Sequence, residues 1–430
     1  MKKRCNLMIA PLFLARCIMS RIKRYMEQLE EEQQRGYSLP SEEKYICGHH
    51  FHDKYINEYI KSQGQDGVCS YCQKHDVVLE MSDFISYIGD ELSSYLGNID
   101  NENLYLASSF YDDEEEEIPG IKRYGPYAVP DDKTVYEEAR EVMEDYNIIS
   151  DSEEINNDIE KCLHVNNWIK RDPFGIELHE ELSLNWKEFC RLVQNSQRFT
   201  FFKSPLFEDA STKGEHGLSD ILTELGSMMS LLGRDLPIGK TIYRCRPENT
   251  ENPVTTFEDI TSAPPHLAKA NRMSPTGISM FYGSFDKTTP IKEILGYSSE
   301  NKPNYIYEGT FQVIKLLHVV DLYSIDSSFW MPHSQEHLFL DRFHNEIAKP
   351  ANSKNPEVDY IPSQIFTEYI RYLCKNRNGG NYDGIIFKSA QTGEENIVLF
   401  YDNKTSANVL SLLPNSIEKH TPPYRYIANI

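Results

Sequence analysis

Most of the side chains that could do chemistry together lie between residues 241 and 293. Three arginines, one tyrosine and one acidic residue share this stretch: Arg244, Arg246, Arg272, Tyr282 and Glu293. Guanidinium groups bind pyrophosphate bidentately, and a tyrosine ring offers a face to a flat base. A carboxylate can hold a ribose hydroxyl and stabilise an oxocarbenium-like transition state. The set therefore predicts a ligand that contains phosphate, sugar and a base.

Short elements must position these groups. The pieces Thr241–Tyr243 and Ile278–Tyr282 are β-prone, so we expect strands that end near the arginine and the tyrosine. Side chains alternate along a strand, which places Arg246 on the same face as Arg244. A helix is expected to start at residues 289–293, with Thr288 or Thr289 as its cap. That helix would carry Glu293.

Four segments carry a family resemblance, and they occur in the family's order: YRCR, APPHLAKANRMSPTG, MFYGSFDKTTPIKE and YDGIIFKSAQTGEENIVLF. Together they resemble the RES domain, a family of NAD-degrading toxins from bacterial toxin–antitoxin systems. The resemblance runs from residue 236 to residue 430. It implies an α+β fold similar to that of ADP-ribosyltransferases.

The resemblance also implies roles for individual residues. Arg244 and Arg272 would clamp the dinucleotide, Tyr282 would stack on nicotinamide, and Glu293 would stabilise the ribosyl cation. Ser389 and Asn396 would hydrogen-bond the nicotinamide amide or a ribose. The catalytic set is then Glu293, Arg244 and Tyr282. The substrate-binding set is Arg244, Arg272, Tyr282, Ser389 and Asn396.

NAD would be a substrate here and not a hydride carrier, because the chain has no Rossmann glycine fingerprint and no P-loop. The family implies cleavage of the nicotinamide–ribose bond by water or by phosphate. The alternatives left open are ADP-ribosyl transfer to a macromolecule and a non-enzymatic NAD-binding sensor. An enzyme that depletes NAD needs restraint, which implies an antitoxin partner or inhibition by the N-terminal half of the chain.

A separate pattern near the N-terminus predicts a metal site. Cys47 and His50 form a C-x-x-H pair, and Cys69 and Cys72 form a C-x-x-C pair. Thiolates with one imidazole favour zinc in a closed, structural site. His49 and His52 remain alternative fourth ligands. This region resembles the HEPN/RES N-terminal region, in which a C-x-x-C usually stands in place of the first pair.

The chain divides into five predicted regions. An exposed helix is expected over residues 20–36, and a short helix over Asp53–Ser62 within the metal module. No arginine is followed by histidine at the spacing of HEPN ribonucleases, so a second nuclease site is not expected. The regions are an N-terminal tail and helix (1–36), a zinc-binding module (37–110), an acidic and irregular linker (111–133), a helical region (134–235) and the RES domain (236–430).

Composition bounds the remaining possibilities. The 430 residues carry a net charge of −22, which argues against a general nucleic-acid binder. Nine irregularly spaced cysteines indicate a reducing compartment, and we expect a cytoplasmic protein. The apolar piece Leu7–Leu14 is too short to span a bilayer. We expect no transmembrane segment, and a translation start at Met19 explains this piece better than a signal peptide.

Overall fold

The structure is a computed structural model that describes residues 35–102, 104–106, 118–203, 221–251, 253–297, 303–349 and 355–422. The chain forms two compact units. Unit 1 comprises Met1–Gly175 and Ser328–Pro332, and unit 2 comprises Ile176–Ser327 and His333–Ile430. The predicted helix over 20–36, apart from its last two residues, and the acidic block at 112–117 lie outside the described residues.

The described part of unit 1 contains first a small antiparallel sheet and two helices. The sheet has the order β1-β3-β2, with β1 (Tyr45–Cys47), β2 (Gln65–Val68) and β3 (His75–Glu80). The helices are α1 (Lys54–Gln63) and α2 (Met81–Tyr95). The predicted helix at Asp53–Ser62 is confirmed as α1, because the Asp53 carboxylate accepts the N–H groups of Tyr55 and Ile56 and caps it.

Two further small sheets and two further helices lie in the described residues between 96 and 175 of unit 1. The sheets have the orders β4-β9-β8 and β5-β7-β6. Their strands are β4 (Leu96–Asn98), β5 (Tyr105–Leu106), β6 (Ile121–Tyr124), β7 (Tyr127–Pro130), β8 (Val135–Tyr136) and β9 (Trp168–Lys170). The helices are α3 (Ala139–Asp145) and α4 (Glu153–Cys162).

Two predicted regions differ from the structure. Residues 118–132, expected to be irregular, contain the β6–β7 hairpin, whose turn uses Gly125 at a φ of +55°. The helical region from residue 134 is interrupted by β8 and β9, which pair with each other. Tyr136 lies opposite Trp168 in that pair, and such cross-strand aromatic pairs stabilise strands that are too short to be read from periodicity.

Ser328–Pro332 belongs to unit 1 although its sequence neighbours belong to unit 2. The Trp330 indole N–H donates to the carbonyl of Tyr146 at 2.7 Å, and the ring lies 5.7 Å from that of Tyr87. The Ser328 hydroxyl donates to the Asp53 carboxylate at 2.8 Å. Trp330 is only 5% exposed. A tryptophan from late in the sequence therefore completes the aromatic core of unit 1.

Unit 2 is built on a nine-stranded sheet. Its order is β10-β14-β15-β16-β12-β11-β13-β17, and β18 also pairs with β13. The one parallel pair among the described strands is β14 with β15. The strands are β10 (Gly233–Leu236), β11 (Thr241–Glu248), β12 (Phe281–Ser284), β13 (Tyr305–Val313), β14 (Leu317–Asp321), β15 (Gly384–Lys388), β16 (Glu395–Leu399), β17 (Leu410–Leu412) and β18 (Glu418–His420).

Alternating side chains of the sheet enter two separate cores. Phe387 and Val398 pack with residues of the helices, whereas Ile386 and Ile397 pack in a core on the opposite face. Trp186, Phe189, Leu192 and Val193 form an apolar stripe in the helical core, within the predicted helical region 134–235. Within the residues that the structure describes, the α-helices of unit 2 are α5 (Leu178–Asn195), α6 (Ile221–Met228), α7 (Phe257–Ile260), α8 (Thr289–Tyr297), α9 (Ser334–Ala348), α10 (Pro356–Asp359) and α11 (Ile361–Tyr372).

Candidate active site

Glu293 is the centre of a hydrogen-bonded cluster of three predicted site residues. The Ser389 hydroxyl donates to Oε1 of Glu293, and Nδ2 of Asn396 donates to the same oxygen at 3.0 Å. Ser389 is 3% exposed and Asn396 is 8% exposed, whereas Glu293 is half-buried. Among the described residues no group donates to Oε2 of Glu293. One carboxylate oxygen is therefore fixed by the protein, and the other has no donor in the described part of the chain.

The Ser389 hydroxyl is oriented by its own turn. Ser389 follows β15, and its Oγ accepts the backbone N–H groups of Gln391 and Thr392, each at 3.2 Å. Because both N–H groups point at the lone pairs, the hydroxyl proton is directed to Glu293. The Ser389 hydroxyl thus donates one hydrogen bond and accepts two, which is the geometry of a group that positions the Glu293 carboxylate.

At the start of α8, Thr288 directly precedes the first helical residue, as expected for a cap, and the carboxylate of Asp286 accepts the N–H groups there. Oδ1 of Asp286 accepts the backbone N–H and the hydroxyl of both Thr288 and Thr289, at 2.8–3.0 Å. These bonds, the Thr288 hydroxyl first, lower the pKa of Asp286. The Thr289 hydroxyl also contacts that of Thr392 at 3.1 Å. The helix of Glu293 is thereby tied to the turn of Ser389.

Tyr282 lies on the same face of the sheet as Asn396. Tyr282 pairs with Val398 and Ser284 pairs with Asn396 between β12 and β16, so all four side chains project to one side. The Tyr282 hydroxyl lies 2.9 Å from Oγ of Ser274. Burial raises the pKa of Tyr282 well above its ordinary value, so the hydroxyl stays neutral at physiological pH.

Arg244 donates to the backbone of Tyr282, but its side chain lies on the opposite face of the sheet from the Tyr282 ring, because Tyr243 pairs with Ser284 between β11 and β12. It has no carboxylate partner among the described residues. Its Nε donates to the carbonyl of Ile260 at 2.9 Å, and its Nη1 donates to the carbonyl of Tyr282 at 2.7 Å. The guanidinium lies over the ring of Phe281, at 5.2 Å from its centroid. Burial lowers the pKa of Arg244 to about 10, which leaves a cation at neutral pH. Such a cation, balanced only by carbonyl dipoles, favours an anionic ligand.

The other two arginines are engaged by the protein itself. Arg246 is exposed and forms an ion pair with Glu248 at 2.6 Å. Arg272 is 9% exposed, and its Nη1 donates to the carbonyls of Ile347 and Lys349. Neither arginine hydrogen-bonds to the cluster around Glu293. The prediction that Arg272 contacts a dinucleotide stays a prediction.

Two residues that support the site were not singled out from the sequence. Asp286 could have been found, because an acidic residue shortly before the first helical turn is a common cap. Ser274 gives no such signal. Its contact with Tyr282 depends on a turn in which Asn271 and Ser274 form an isolated bridge.

The predicted metal ligands converge in unit 1. The ligand atoms of Cys47, His50, Cys69 and Cys72 all lie within 4.8 Å of one another. The Cys47 and Cys72 sulfurs are 3.7 Å apart, and Nε2 of His50 lies 3.4 Å from the Cys69 sulfur. The competing histidines pair elsewhere: Nδ1 of His49 lies 2.8 Å from Asp76, and Nε2 of His52 lies 3.0 Å from Asp151. Three thiols and one imidazole at these distances fit a tetrahedral metal ion.

Comparison with known families decides the nature of the C-terminal region. A model described as the RES domain matches residues 241–420. The chain carries a RES domain. A second model, HEPN/RES N-terminal domain 1, matches residues 62–206, so both parts of the resemblance are confirmed. No curated protein and no solved structure matches the chain.

The RES domain gives the α+β part of the chain a functional context. Its presence suggests an NAD-related function of the toxin type. The matched range includes Arg244, Tyr282, Glu293, Ser389 and Asn396. None of the helices in the described residues is both long and apolar enough to cross a membrane.

Proposed function

We propose that this chain is an enzyme that cleaves the nicotinamide–ribose bond of NAD and transfers ADP-ribose to water or to phosphate. The observation that carries the proposal is the Glu293 carboxylate. Ser389 and Asn396 hold one of its oxygens, and no described residue donates to the other. A carboxylate that is fixed before the substrate arrives can stabilise a developing cation without reorganising.

The reaction is a heterolytic displacement at the ribose. When the bond between the ribose C1′ and the nicotinamide nitrogen breaks, its electron pair leaves with nicotinamide and the ribose becomes cationic. Glu293 stabilises that charge. Water then adds and loses a proton to give ADP-ribose, or phosphate adds to give ADP-ribose 1″-phosphate. The first product defines an NAD glycohydrolase and the second an NAD phosphorylase.

The neighbouring residues supply binding and orientation. The Tyr282 ring is the proposed platform for nicotinamide, which would orient the scissile bond over Glu293. Arg244 supplies the positive charge that the pyrophosphate requires. The Ser389 hydroxyl is fully engaged in orienting Glu293. Only Nδ2 of Asn396 is engaged within the described residues, so its Oδ1 is available to the nicotinamide amide.

The test is the fate of NAD with the purified full chain. Nicotinamide and the ADP-ribose product are quantified in parallel, with and without inorganic phosphate, and with added bacterial protein as a possible acceptor. Stoichiometric release of nicotinamide with free ADP-ribose or its phosphate supports the proposal, and the phosphate dependence names the reaction. Release with ADP-ribose bound to protein identifies a transferase. NAD binding without nicotinamide release would leave a sensor and overturn the enzymatic assignment.

We also propose that the Cys47, His50, Cys69 and Cys72 cluster holds a structural zinc ion. Four protein ligands leave no open coordination position, so the ion would fix the local fold and take no part in the reaction. Metal content by mass spectrometry tests this. Cys72→Ser should lose the ion, and Cys190→Ser, a half-buried cysteine of α5, should retain it. Equal metal content in both variants would contradict the proposal.

The RES domain also makes restraint of the enzyme part of the proposal. Unchecked NAD loss stops growth, so an antitoxin or the N-terminal half of the chain would hold the activity down. Growth of cells that express the full chain, compared with the Glu293→Gln variant, measures the residual toxicity.

A further inference from the structure

We infer that Arg272 is a positioning residue: its guanidinium fastens the turn that carries Ser274, and Ser274 in turn sets the hydroxyl of Tyr282. This role differs from the dinucleotide contact that the family resemblance implies for Arg272. The inference rests on the proposed function only for its assay, since the contacts that carry it are all within unit 2.

The surroundings of Arg272 compensate its charge without a ligand. Nη1 donates to the carbonyls of Ile347 and Lys349, at the C-terminal end of α9. The last carbonyls of a helix lack partners within it and form the negative end of its dipole. The guanidinium also lies 5.6 Å from the centroid of the Tyr360 ring, within the range of a cation–π contact. Through Nη1 and the face of its guanidinium, Arg272 is therefore held by the protein itself.

The turn that follows is held at two other points. Asn271 and Ser274 exchange backbone hydrogen bonds at 2.8 and 3.2 Å. From α11, the Ser363 hydroxyl donates to the carbonyl of Arg272 at 2.6 Å, and Nε2 of Gln364 donates to the carbonyl of Asn271 at 2.8 Å. The turn is therefore held on two sides: the side chain of Arg272 binds it to α9, and its backbone is hydrogen-bonded to α11.

Ser274 connects the turn to Tyr282, the proposed nicotinamide-stacking residue. Ser274 is 1% exposed, and its Oγ lies 2.9 Å from the Tyr282 hydroxyl. Burial raises the pKa of Tyr282, so this contact joins two neutral hydroxyls and depends on their distance and direction. A shift of the turn would move the Tyr282 hydroxyl or leave it without its partner. Misplacement of a substrate-positioning group by about 1 Å can cost about 10²-fold in rate.

One atom of Arg272 keeps the rival role open to test. Nη2 is buried and has no hydrogen-bond partner among the described residues. A phosphate oxygen of the substrate could accept from it. The two roles differ in their dependence on phosphate: a clamp acts only on a substrate that has the pyrophosphate, whereas a positioning residue acts on any substrate that has the nicotinamide–ribose bond.

The experiment compares NAD with nicotinamide riboside, which has the same scissile bond and no phosphate. Nicotinamide release gives kcat/KM of the full chain for the wild type, Arg272→Met, Ser274→Ala and the double variant. We expect Arg272→Met to lower kcat/KM on both substrates by the same factor, about tenfold to 10²-fold. Ser274→Ala should have a similar effect. The kcat/KM of the double variant should be no lower than that of the less active single variant, because the two residues act along one path.

Two results would overturn the inference. One is an Arg272→Met variant whose kcat/KM falls for NAD and not for nicotinamide riboside. The other is a double variant whose fold-loss of kcat/KM on NAD equals the product of the two single fold-losses. If nicotinamide riboside is turned over too slowly to measure, the double variant decides on NAD alone. Arg377→Met, which removes an exposed arginine paired with Asp235, is the control for charge loss. It should leave kcat/KM unchanged for both NAD and nicotinamide riboside.

The design separates this inference from the proposed function. If Arg272→Met fails to fold, Ser363→Ala loosens the same turn without touching the guanidinium, and unchanged kinetics on both substrates would then overturn the inference. If the wild type releases no nicotinamide, the enzymatic proposal fails. The dissociation constants of NAD and nicotinamide riboside are then measured for the same variants. Arg272→Met should raise both constants by the same factor.

Discussion

Replacement of Glu293 by glutamine removes one charge from the site and little else. The glutamine oxygen can still accept from Ser389 and Asn396, so the cluster keeps its shape. A carboxylate about 4 Å from a cationic ribose contributes about 4 kcal/mol at an effective dielectric constant of about 20. Loss of that term lowers kcat by about 10³-fold. Because the charge develops only in the transition state, KM for NAD should stay within about threefold of the wild-type value.

Single-turnover release of nicotinamide at saturating NAD measures the chemical step. Lys292→Gln is the matched control, because Lys292 is an exposed neighbour on the same helix, α8. Both variants should melt within a few degrees of the wild type. Glu293→Gln with more than about a tenth of the wild-type kcat would refute the reasoning, since the carboxylate would then not be the group that stabilises the ribosyl cation.

Three further predictions concern residues outside the cluster. Asp286→Ala removes the carboxylate that accepts the N–H groups at the start of α8, so we expect a loss of about 1 kcal/mol in the free energy of unfolding and a fall in kcat with little change in KM; denaturant titration and steady-state kinetics measure these changes. Trp330→Ala should lower the free energy of unfolding by about 3–5 kcal/mol, because it leaves a cavity in an aromatic core. Thermal unfolding followed by near-ultraviolet circular dichroism measures this, and an unchanged melting temperature would contradict it. Burial raises the pKa of Glu308 above that of an unfolded glutamate, although Lys287 and His420 lie nearby. The native state therefore binds this proton more tightly than the unfolded state, and the free energy of unfolding falls as the pH rises through the folded pKa. Glu308→Gln should therefore raise the melting temperature at pH 7–8, with a gain that shrinks on acidification and is absent below pH of about 4; a lower melting temperature at pH 7 would show that the two cationic partners outweigh burial.

Periodic and capped elements of the fold could be predicted from the sequence, and short paired strands could not. The amphipathic stripe of α5 and the Asp53 cap of α1 are local signals: α5 lies in the region expected to be helical, and α1 forms at the predicted helix Asp53–Ser62. The hairpin β6–β7 and the pair β8–β9 are different. Each strand of these pairs has at most four residues, so its stability comes from its partner and from aromatic contacts across the pair. Those partners are not visible in a short window of sequence.

The candidate site divides in the same way. Motif order named Glu293, Ser389 and Asn396, and the structure brings them into hydrogen-bond contact across sequence separations of 96 and 103 residues. Their action on a substrate stays a prediction. The environment of Arg272 could not be foreseen, because its acceptors are helix-end carbonyls 75 and 77 residues away. Backbone carbonyls carry no residue type, so no motif marks them.

The position of Ser328–Pro332 has a consequence for how such a protein can be divided. The chain passes between its two compact units after Gly175, after Ser327 and again after Pro332. No single cleavage releases either unit whole, and a fragment limited to residues 236–430 would lack α5 and α6 of its own core while carrying Trp330 without its aromatic neighbours. A chain in which only the C-terminal region is replaced would therefore take the segment that completes the aromatic core of unit 1 from the replacement.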